Sequence, residues 1–597
     1  MKKLLVFLSI FASHFLIAQS GQKSKEVFIR INQLGYHANE GKIAIVFSNI
    51  PVKEKFKLIS TNDQQTKATI KPIRSEAEGW GTFKQYYNLD FSQVRTEGSY
   101  FLKGVKSGQK SSIFTISTTA YQNTTDDLLK FMQQQRCGYN PFLDIVCHQK
   151  DGRSFYGKIP DSTFVDVSGG WHDAGDQLKY LITGSYATAH MLMAYELYPN
   201  KFSDKVNALG QPKPNGIPDV LDEAKWGLDW ILKLHTAPDQ LVHQIADDRD
   251  HIGWKMPDND KSDFGWGPNS YRAAYFANGE PQGLKKYKSM ATGVANVAGR
   301  SAAALALGAR VWLEIDSVYA MKCLRAAKTV YAFGKSKEGY QQGNSYGAPY
   351  RYNEQTWADD MEWGAAELYK VTKKPAYLTD AKRYALLANT DNWLVLDSAA
   401  HYQFYPFINM GHFSLHELVE PSFQDTLVSF YKTEIENIAQ RARTNPYGIG
   451  VPFIWCSNNL ITSFITQVLL YEKMTGDMQY HQVMLDHRDW LFGKNPWGTS
   501  MFTGMPANGE YPLDVHTSVW AMTKQVVPGG LIDGPIFMTI YNKLLGLELT
   551  QPDEFAKFQN NHVVYHDDIG DYSTNEPTMD GTAGSMIMMS HWSPDVE

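Results

Sequence analysis

The hydrophobic pattern changes period once, near Tyr121, and this change divides the chain between two kinds of fold. Before it, the runs VFIRINQLGY, KIAIVF, KFKLIS, KQYYNLDF, GSYFLKG and SIFTI are short, alternate in polarity and end in polar or glycine turns. That is the period-two pattern of strands. Residues 27–117 therefore predict a small all-β immunoglobulin-like sandwich. After Tyr121 the period becomes helical. Segments such as QLKYLITGSYATAHMLMAYEL, PDVLDEAKWGLDWILKLH and NLITSFITQVLLYEKM belong to a series of about eleven helices across 121–597. In PDVLDEAKWGLDWILKLH, Leu221, Ala224, Leu228, Ile231 and Leu232 share one face. Long loops rich in Trp, Asp and Gly separate several helices, and loops of that length inside a domain usually carry function. A mainly α chain with a helix–loop–helix rhythm fits an α/α barrel better than a bundle or an α/β fold.

The first residues read as an address. Lys2 and Lys3 precede an apolar run from Leu4 to Ile17, and Ala18 offers a small residue for cleavage. This is the layout of a secretory signal peptide over 1–18, and the run is short for a membrane span. The expected mature protein is exported to the periplasm or the medium, with no membrane span. Lys and Arg total 57 against 63 Asp and Glu, a balance that argues against a nucleic-acid partner. Aromatic residues make up 13% of the chain, more than a core needs and suited to stacking on sugar faces.

The chemistry concentrates in carboxylates. Gly169-Gly170-Trp171-His172-Asp173-Ala174-Gly175-Asp176 sets two of them three residues apart among small residues that let a ligand approach. A second cluster holds Tyr565, Asp567, Asp568, Asp571, Tyr572 and Glu576. Cleavage of a glycosidic bond needs one protonated carboxylic acid and one ionised carboxylate, with surroundings that push their pKa values apart. The same residues have plainer readings. Asp176 can cap a helix starting near Gln177, and Glu576 can stabilise the start of the last helix.

GGWHDAGD followed by Lys179-Tyr180, and then NGIPDVLDEA at 215–224, resembles glycoside hydrolase family 9, the cellulase family E group. FGKNPWG at 492–498 with His516, and Tyr565-x-Asp567-x4-Tyr572-x3-Glu576, are similar to its two C-terminal signatures. INQLGY and KIAIVF are similar to the immunoglobulin-like domain that precedes the barrel in one branch. The resemblance implies an (α/α)6 barrel with a glycan cleft and an inverting reaction. In it Asp176 is the base, Asp173 helps hold the water and Glu576 is the acid. It also implies that His516 binds hydroxyls, with Trp254, Trp455 and Tyr572 on the substrate side. The chain departs from the pattern in three places. His516 is followed by Thr517 and Ser518, where the family commonly places an Arg two residues on. Gly581 and Thr582 stand where a Tyr and an Asn usually occur. A fork of donors such as Arg presents is not replaced by Thr or Ser, which leaves room for a decorated glucan, a mixed-linkage glucan or an amino sugar as substrate.

Cys137, Cys147, His148 and His172 supply two thiols and two imidazoles, the ligand set of a closed tetrahedral zinc site. The family's immunoglobulin-linked branch has a structural zinc on a matching set. A Cys137–Cys147 disulfide is the competing reading. Cys323 and Cys456 read as buried thiols. The acidic loop Asp247-Asp248-Arg249-Asp250 could host calcium, or be a solvated loop. The expected activity is that of an endo-β-1,4-glucanase acting on a polysaccharide or oligosaccharide. The alternatives are an exo-acting β-glucosidase or exo-β-glucosaminidase on the same scaffold, and a glycan-binding protein that does not cleave.

Overall fold

The structure, a computed structural model, describes residues 26–77, 80–389 and 410–596. The expected signal peptide lies outside these residues. Eight strands form the N-terminal sandwich: β1 (Val27–Arg30), β2 (Ile43–Ser48), β3 (Phe56–Ser60), β4 (Thr66–Ile70), β5 (Ile73–Arg74), β6 (Gln85–Asp90), β7 (Gly98–Gly104) and β8 (Phe114–Ile116). They pair antiparallel in two sheets, ordered β1-β2-β6-β5 and β4-β3-β7-β8. Val46, Leu58, Leu89, Leu102 and Phe114 fill the space between the sheets. The first sheet is buried on its other face too. Phe28, Phe47 and Phe83 meet Phe558, and Phe47 meets Tyr447, both rings belonging to the helical part. KIAIVF thus departs from the alternation expected of it: it is an almost unbroken apolar run because this strand is covered on both faces. Arg488 completes the junction, reaching both oxygens of Glu40 at 2.8 and 2.9 Å.

The helical part is a double ring. The inner helices are α2 (Leu181–Leu197), α4 (Ala295–Val311), α6 (Ala358–Thr372), α8 (Met410–His416), α10 (Ser457–Thr475) and α14 (Met579–Gly584). Each packs on the next, and α14 returns to α2, so the ring closes. The outer helices are α1 (Thr124–Gln135), α3 (Asp219–Leu234), α5 (Ser317–Ser336), α7 (Pro375–Ala388), α9 (Pro421–Ala442) and α11 (His481–Leu491). Three short helices complete the described set: α12 (Ser518–Thr523), α13 (Met538–Tyr541) and α15 (Met586–Trp592). The fold is therefore the expected (α/α)6 barrel behind a β-sandwich.

Composition separates the two rings. Every residue from Leu181 to Ala194 of α2 and from Ala295 to Ala309 of α4 is buried, as a helix enclosed on all sides requires. In α5 only one face is buried. Glycine lets the inner helices close up: a Cβ on Gly299 would lie 2.7 Å from the Met361 nitrogen, and one on Gly364 2.7 Å from the Gly299 carbonyl oxygen.

Two expectations need correction. The helix placed near Gln177 begins at Leu181, because Lys179–Tyr180 is instead a strand paired with Val242–Ile245. Asp176 caps no helix; its carboxylate closes a turn by accepting the Leu178 N–H at 3.0 Å. The last helical stretch is also two helices, α14 and α15, separated at Ser585.

Candidate active site

The GGWHDAGD loop leads into the Lys179–Tyr180 strand before α2 and lies against the end of α1, where the Cys137 N–H donates to the Gly170 carbonyl and the His172 N–H to the Gln135 carbonyl, both at 2.8 Å; buried polar contacts hold it at both ends. Trp171 Nε1 donates to Glu223 Oε1 at 2.8 Å, and Glu223 takes two hydrogen bonds from Arg136. The NGIPDVLDEA segment thus anchors the loop. The Asp173 carbonyl accepts the Met579 N–H at 2.9 Å, tying the loop to the start of α14. Gly175 brings the tail of the chain to it: its N–H donates to Glu576 Oε1 at 2.8 Å across 401 residues. A Cβ at Gly175 would sit 2.2 Å from the His516 carbonyl oxygen and 2.8 Å from Glu576 Oε1, so only glycine fits.

The three carboxyl groups have different surroundings. Asp176 is largely but not fully buried, which favours the neutral acid. His251 Nε2 at 3.1 Å, the Leu178 N–H and the charge of Lys255 outweigh burial and hold it below the ordinary carboxylate range. Glu576 moves the other way. Burial, then Asp533 and Asp176, push it well above the usual range, and the Gly175 N–H offsets this only in part. Asp173 is also pushed well up, by burial and then by Asp580 and Asp176. It accepts hydrogen bonds from Thr183 Oγ1 at 2.7 Å and Tyr352 Oη at 2.5 Å. The surroundings thus favour the ionised form of Asp176 and the neutral form of Glu576, the division of labour that acid–base catalysis requires.

The expected substrate-side residues form one continuous surface. Trp254 packs on His516 with ring centroids 4.7 Å apart, His516 lies 6.1 Å from Tyr572, and Tyr572 lies 5.8 Å from Trp455. Trp254 remains 38% exposed, open to a sugar face. Trp455 lines the same pocket as Asp173 and Glu576. His516 Nδ1 lies 2.5 Å from the Ile569 carbonyl, the geometry of an N–H donor. Burial holds this imidazole below its usual pKa; it is therefore neutral, with Nε2 left as an acceptor. Asp567, Asp568 and Asp571 brace loops instead. Asp567 accepts the N–H groups of Leu513 and Asp514, Asp568 those of Thr550, Gln551 and Gly570, and Asp571 holds His566.

At the positions that depart from the family pattern, Ser518 Oγ donates to the Gly175 carbonyl at 3.3 Å and Thr517 caps α12. Thr582 Oγ1 bonds within α14 and accepts the Leu531 N–H. These residues support the site's frame. His251, Tyr350 and Tyr352 contact the candidate carboxylates, and sequence reasoning missed them. The only sequence signal for His251 was its place three residues before Trp254; the tyrosines come from the loop after α5, about 175 residues from the carboxylates they touch.

Cys137, Cys147, His148 and His172 are all buried, and their ligand atoms lie within 4.8 Å of one another. Cys137 Sγ is 3.7 Å from His148 Nδ1, Cys147 Sγ is 3.9 Å from His172 Nε2, and the two imidazole nitrogens are 3.2 Å apart. Edges of about 3.3–3.8 Å are expected around a tetrahedral ion with bonds of about 2.0–2.3 Å, so the four residues fit a metal. All four cysteines are free thiols, which corrects the disulfide reading. Asp260 contacts His148 Nε2 at 3.2 Å, the outer contact that orients a ligating imidazole. The proposed calcium loop does not fit a cation. Asp247 is tied to Arg249 and Tyr275, Asp250 to Lys255, and Asp248 to the N–H groups of Tyr346, Gly347 and Ala348. Among the described residues, the Cys/His group is the one cluster with metal-holding geometry.

The chain is 26% identical over 542 residues to endoglucanase D of Acetivibrio thermocellus, covering 85% of this chain and 78% of that one. A metagenome-derived glycoside hydrolase family 9 endoglucanase of known structure superposes with a TM-score of 0.75 at 23% identity, covering 96% and 99% of the two chains. A zinc-binding triple mutant of another family 9 endoglucanase gives 0.73 at 22% identity, covering 94% and 100%. Residues 25–109 match the cellulase N-terminal ig-like domain. Residues 121–589 match the model of glycosyl hydrolase family 9, and the chain belongs to that family.

Proposed function

We propose that the protein is an exported, inverting endo-β-1,4-glucanase, with a signal peptide over 1–18, the sandwich over 27–117 and the catalytic barrel over 121–597. The observation that carries this reading is the opposite perturbation of two carboxyls joined through one loop: His251 favours the ionised form of Asp176, and burial and neighbouring acids favour the neutral form of Glu576. Glu576 gives its proton to the leaving glycosidic oxygen as the C–O bond breaks. Asp176 takes a proton from the water that attacks the opposite face of the anomeric carbon, and Asp173 helps hold that water. The new bond forms opposite the one that breaks, so configuration inverts in a single displacement. Neutral His516 accepts a sugar hydroxyl, and Trp254, Trp455 and Tyr572 offer faces to the chain.

The Cys/His group would hold zinc. With four protein ligands it leaves no position for a reacting water, so its contribution is structural. His172 immediately precedes Asp173, and the metal would fix the stretch of backbone that presents both aspartates. The test is digestion of a soluble β-1,4-glucan. A spread of oligosaccharides at early times, each released as the α-anomer, supports the reading. Monomer alone from the start supports the exo alternative, and binding without cleavage of any β-glucan refutes the enzyme.

A further inference from the structure

Two arms of buried polar contacts join the metal-holding group to the candidate base. The first starts at Cys137, whose sulfur accepts a hydrogen bond from Lys179 Nζ at 3.2 Å. The same ammonium lies 2.7 Å from Asp151 Oδ2. Arg272 grips Asp151 through Nε and Nη2 at 2.8 and 2.7 Å, and its Nη1 donates to the Gln177 carbonyl at 2.6 Å. The second arm starts at His148, whose Nε2 lies 3.2 Å from Asp260 Oδ2. Lys255 bridges Asp260 and Asp250 at 3.1 and 2.8 Å, and Asp250 Oδ2 accepts the Gln177 N–H at 2.8 Å.

Both arms end on the backbone of Gln177, the residue that follows Asp176 in the chain. Asp250 in turn precedes His251, whose imidazole is 3.1 Å from Asp176 Oδ2. The arms therefore grip the neighbours of both partners in the Asp176–His251 contact. Their charged members are three cations, Lys179, Arg272 and Lys255, and three carboxylates, Asp151, Asp250 and Asp260, each at most 4% exposed. A buried charge must stay paired, so no member can swing away without stranding another.

We propose that Lys179 and Asp260 are positioning residues, which secure the metal through Cys137 and His148 and carry its hold to the base Asp176. This rests on the Cys/His group holding zinc and on the hydrolase reading. A thiolate that accepts a bond from an ammonium group, and an imidazole set against a carboxylate, are outer contacts that fix ligand geometry. His172 already ties the loop to the metal group just before Asp173; the two arms tie it again just after Asp176. The segment bearing both aspartates is thus anchored at each end to one site. Neither arm includes Trp254, His516, Trp455 or Tyr572, so loss of an arm disturbs the base and leaves the sugar-facing surface in place.

The test reads metal retention and turnover separately. Zinc content is measured in wild-type protein, Lys179→Met, Lys179→Arg and Asp260→Asn, and zinc release to a chromogenic chelator is followed. Lys179→Met leaves Asp151 paired with Arg272, and Asp260→Asn leaves Lys255 paired with Asp250, so neither strands a buried charge. Melting temperatures identify variants that fold as the parent does, and because the two substitutions cut separate arms, one that folds suffices. We expect each to release zinc at least about tenfold faster, as loss of an outer contact implies. On a soluble β-1,4-glucan, kcat should fall at least about tenfold with KM changed by less than about twofold. Lys179→Arg keeps the cation and should recover part of both losses. Zinc release and kcat like those of wild type in a folded variant overturn the proposal, as does a loss carried by KM alone. Wild-type protein that contains no zinc sinks the metal reading and the proposal with it. Wild-type protein that holds zinc but cleaves no β-glucan sinks the hydrolase reading alone, and zinc release then decides whether Lys179 and Asp260 secure the metal.

Discussion

Gly175→Ala tests how tightly the two halves of the site are fitted together. The substitution adds one methyl group. The backbone at Gly175 is not in the left-handed region, so alanine brings no conformational penalty and the effect is steric. The new Cβ would stand 2.2 Å from the His516 carbonyl oxygen and 2.8 Å from Glu576 Oε1, whereas ordinary contact begins near 3.4 Å. Something must therefore move by about 1 Å, and the candidates are backbone at His516 and the acid itself. Overpacking of this kind costs about 1–3 kcal/mol of stability. A 1 Å displacement of a reacting group costs about 100-fold in rate. We expect kcat/KM on a soluble β-1,4-glucan to fall about 100-fold, in protein whose thermal midpoint drops by only a few degrees. Gly347→Ala is the control: its nearest neighbour would be Asp248 Oδ2 at 3.4 Å, and it should change neither quantity appreciably. Wild-type kcat/KM in Gly175→Ala would refute the claim that the loop and Glu576 are fitted across this glycine.

Two further outcomes follow from the electrostatics and the metal group. His251→Ala removes the group that most lowers the Asp176 pKa. The folded-state pKa then rises, the base ionises only at higher pH, and the acidic limb of the kcat/KM profile should move up by about one unit. An unmoved limb would mean that another group sets it. Chelation, or Cys147→Ser, should lower the melting temperature by at least about 5 °C, since a closed metal site contributes folding energy. Purified protein should contain one zinc per chain, and metal-free protein with an unchanged midpoint would contradict the assignment.

Much of the architecture was legible because burial writes itself into hydropathy. The unbroken apolar run of β2 reflects a sheet covered on both faces, and the all-round apolar α2 and α4 belong to the inner ring. The candidate carboxylates were legible because glycine must flank them for backbone to approach Glu576. The surroundings that make them work were less so. His251, Tyr350 and Tyr352 lie 75, 174 and 179 residues from the carboxylates they contact, and no local spacing links them to Asp176 or Asp173. The misplaced start of α2 has a physical cause: Asp176 offers an excellent cap, but its oxygens serve Leu178 and His251, and pairing with Val242–Ile245 keeps Lys179–Tyr180 extended. The calcium reading failed because acidic density does not reveal which carboxylates are already paired; Arg249 and Lys255, within the same ten residues, take two of them.

The central claim is that Glu576 donates the proton and Asp176 removes one, and aryl glycosides of graded leaving-group acidity test it directly. A dinitrophenyl leaving group departs without protonation, whereas a sugar leaving group does not. On dinitrophenyl β-cellobioside, Glu576→Gln should retain near wild-type kcat while losing at least about 1,000-fold on the glucan, and Asp176→Asn should be inactive on both. If Asp176→Asn is rescued by the activated substrate, or Glu576→Gln is not, the two roles are wrongly assigned.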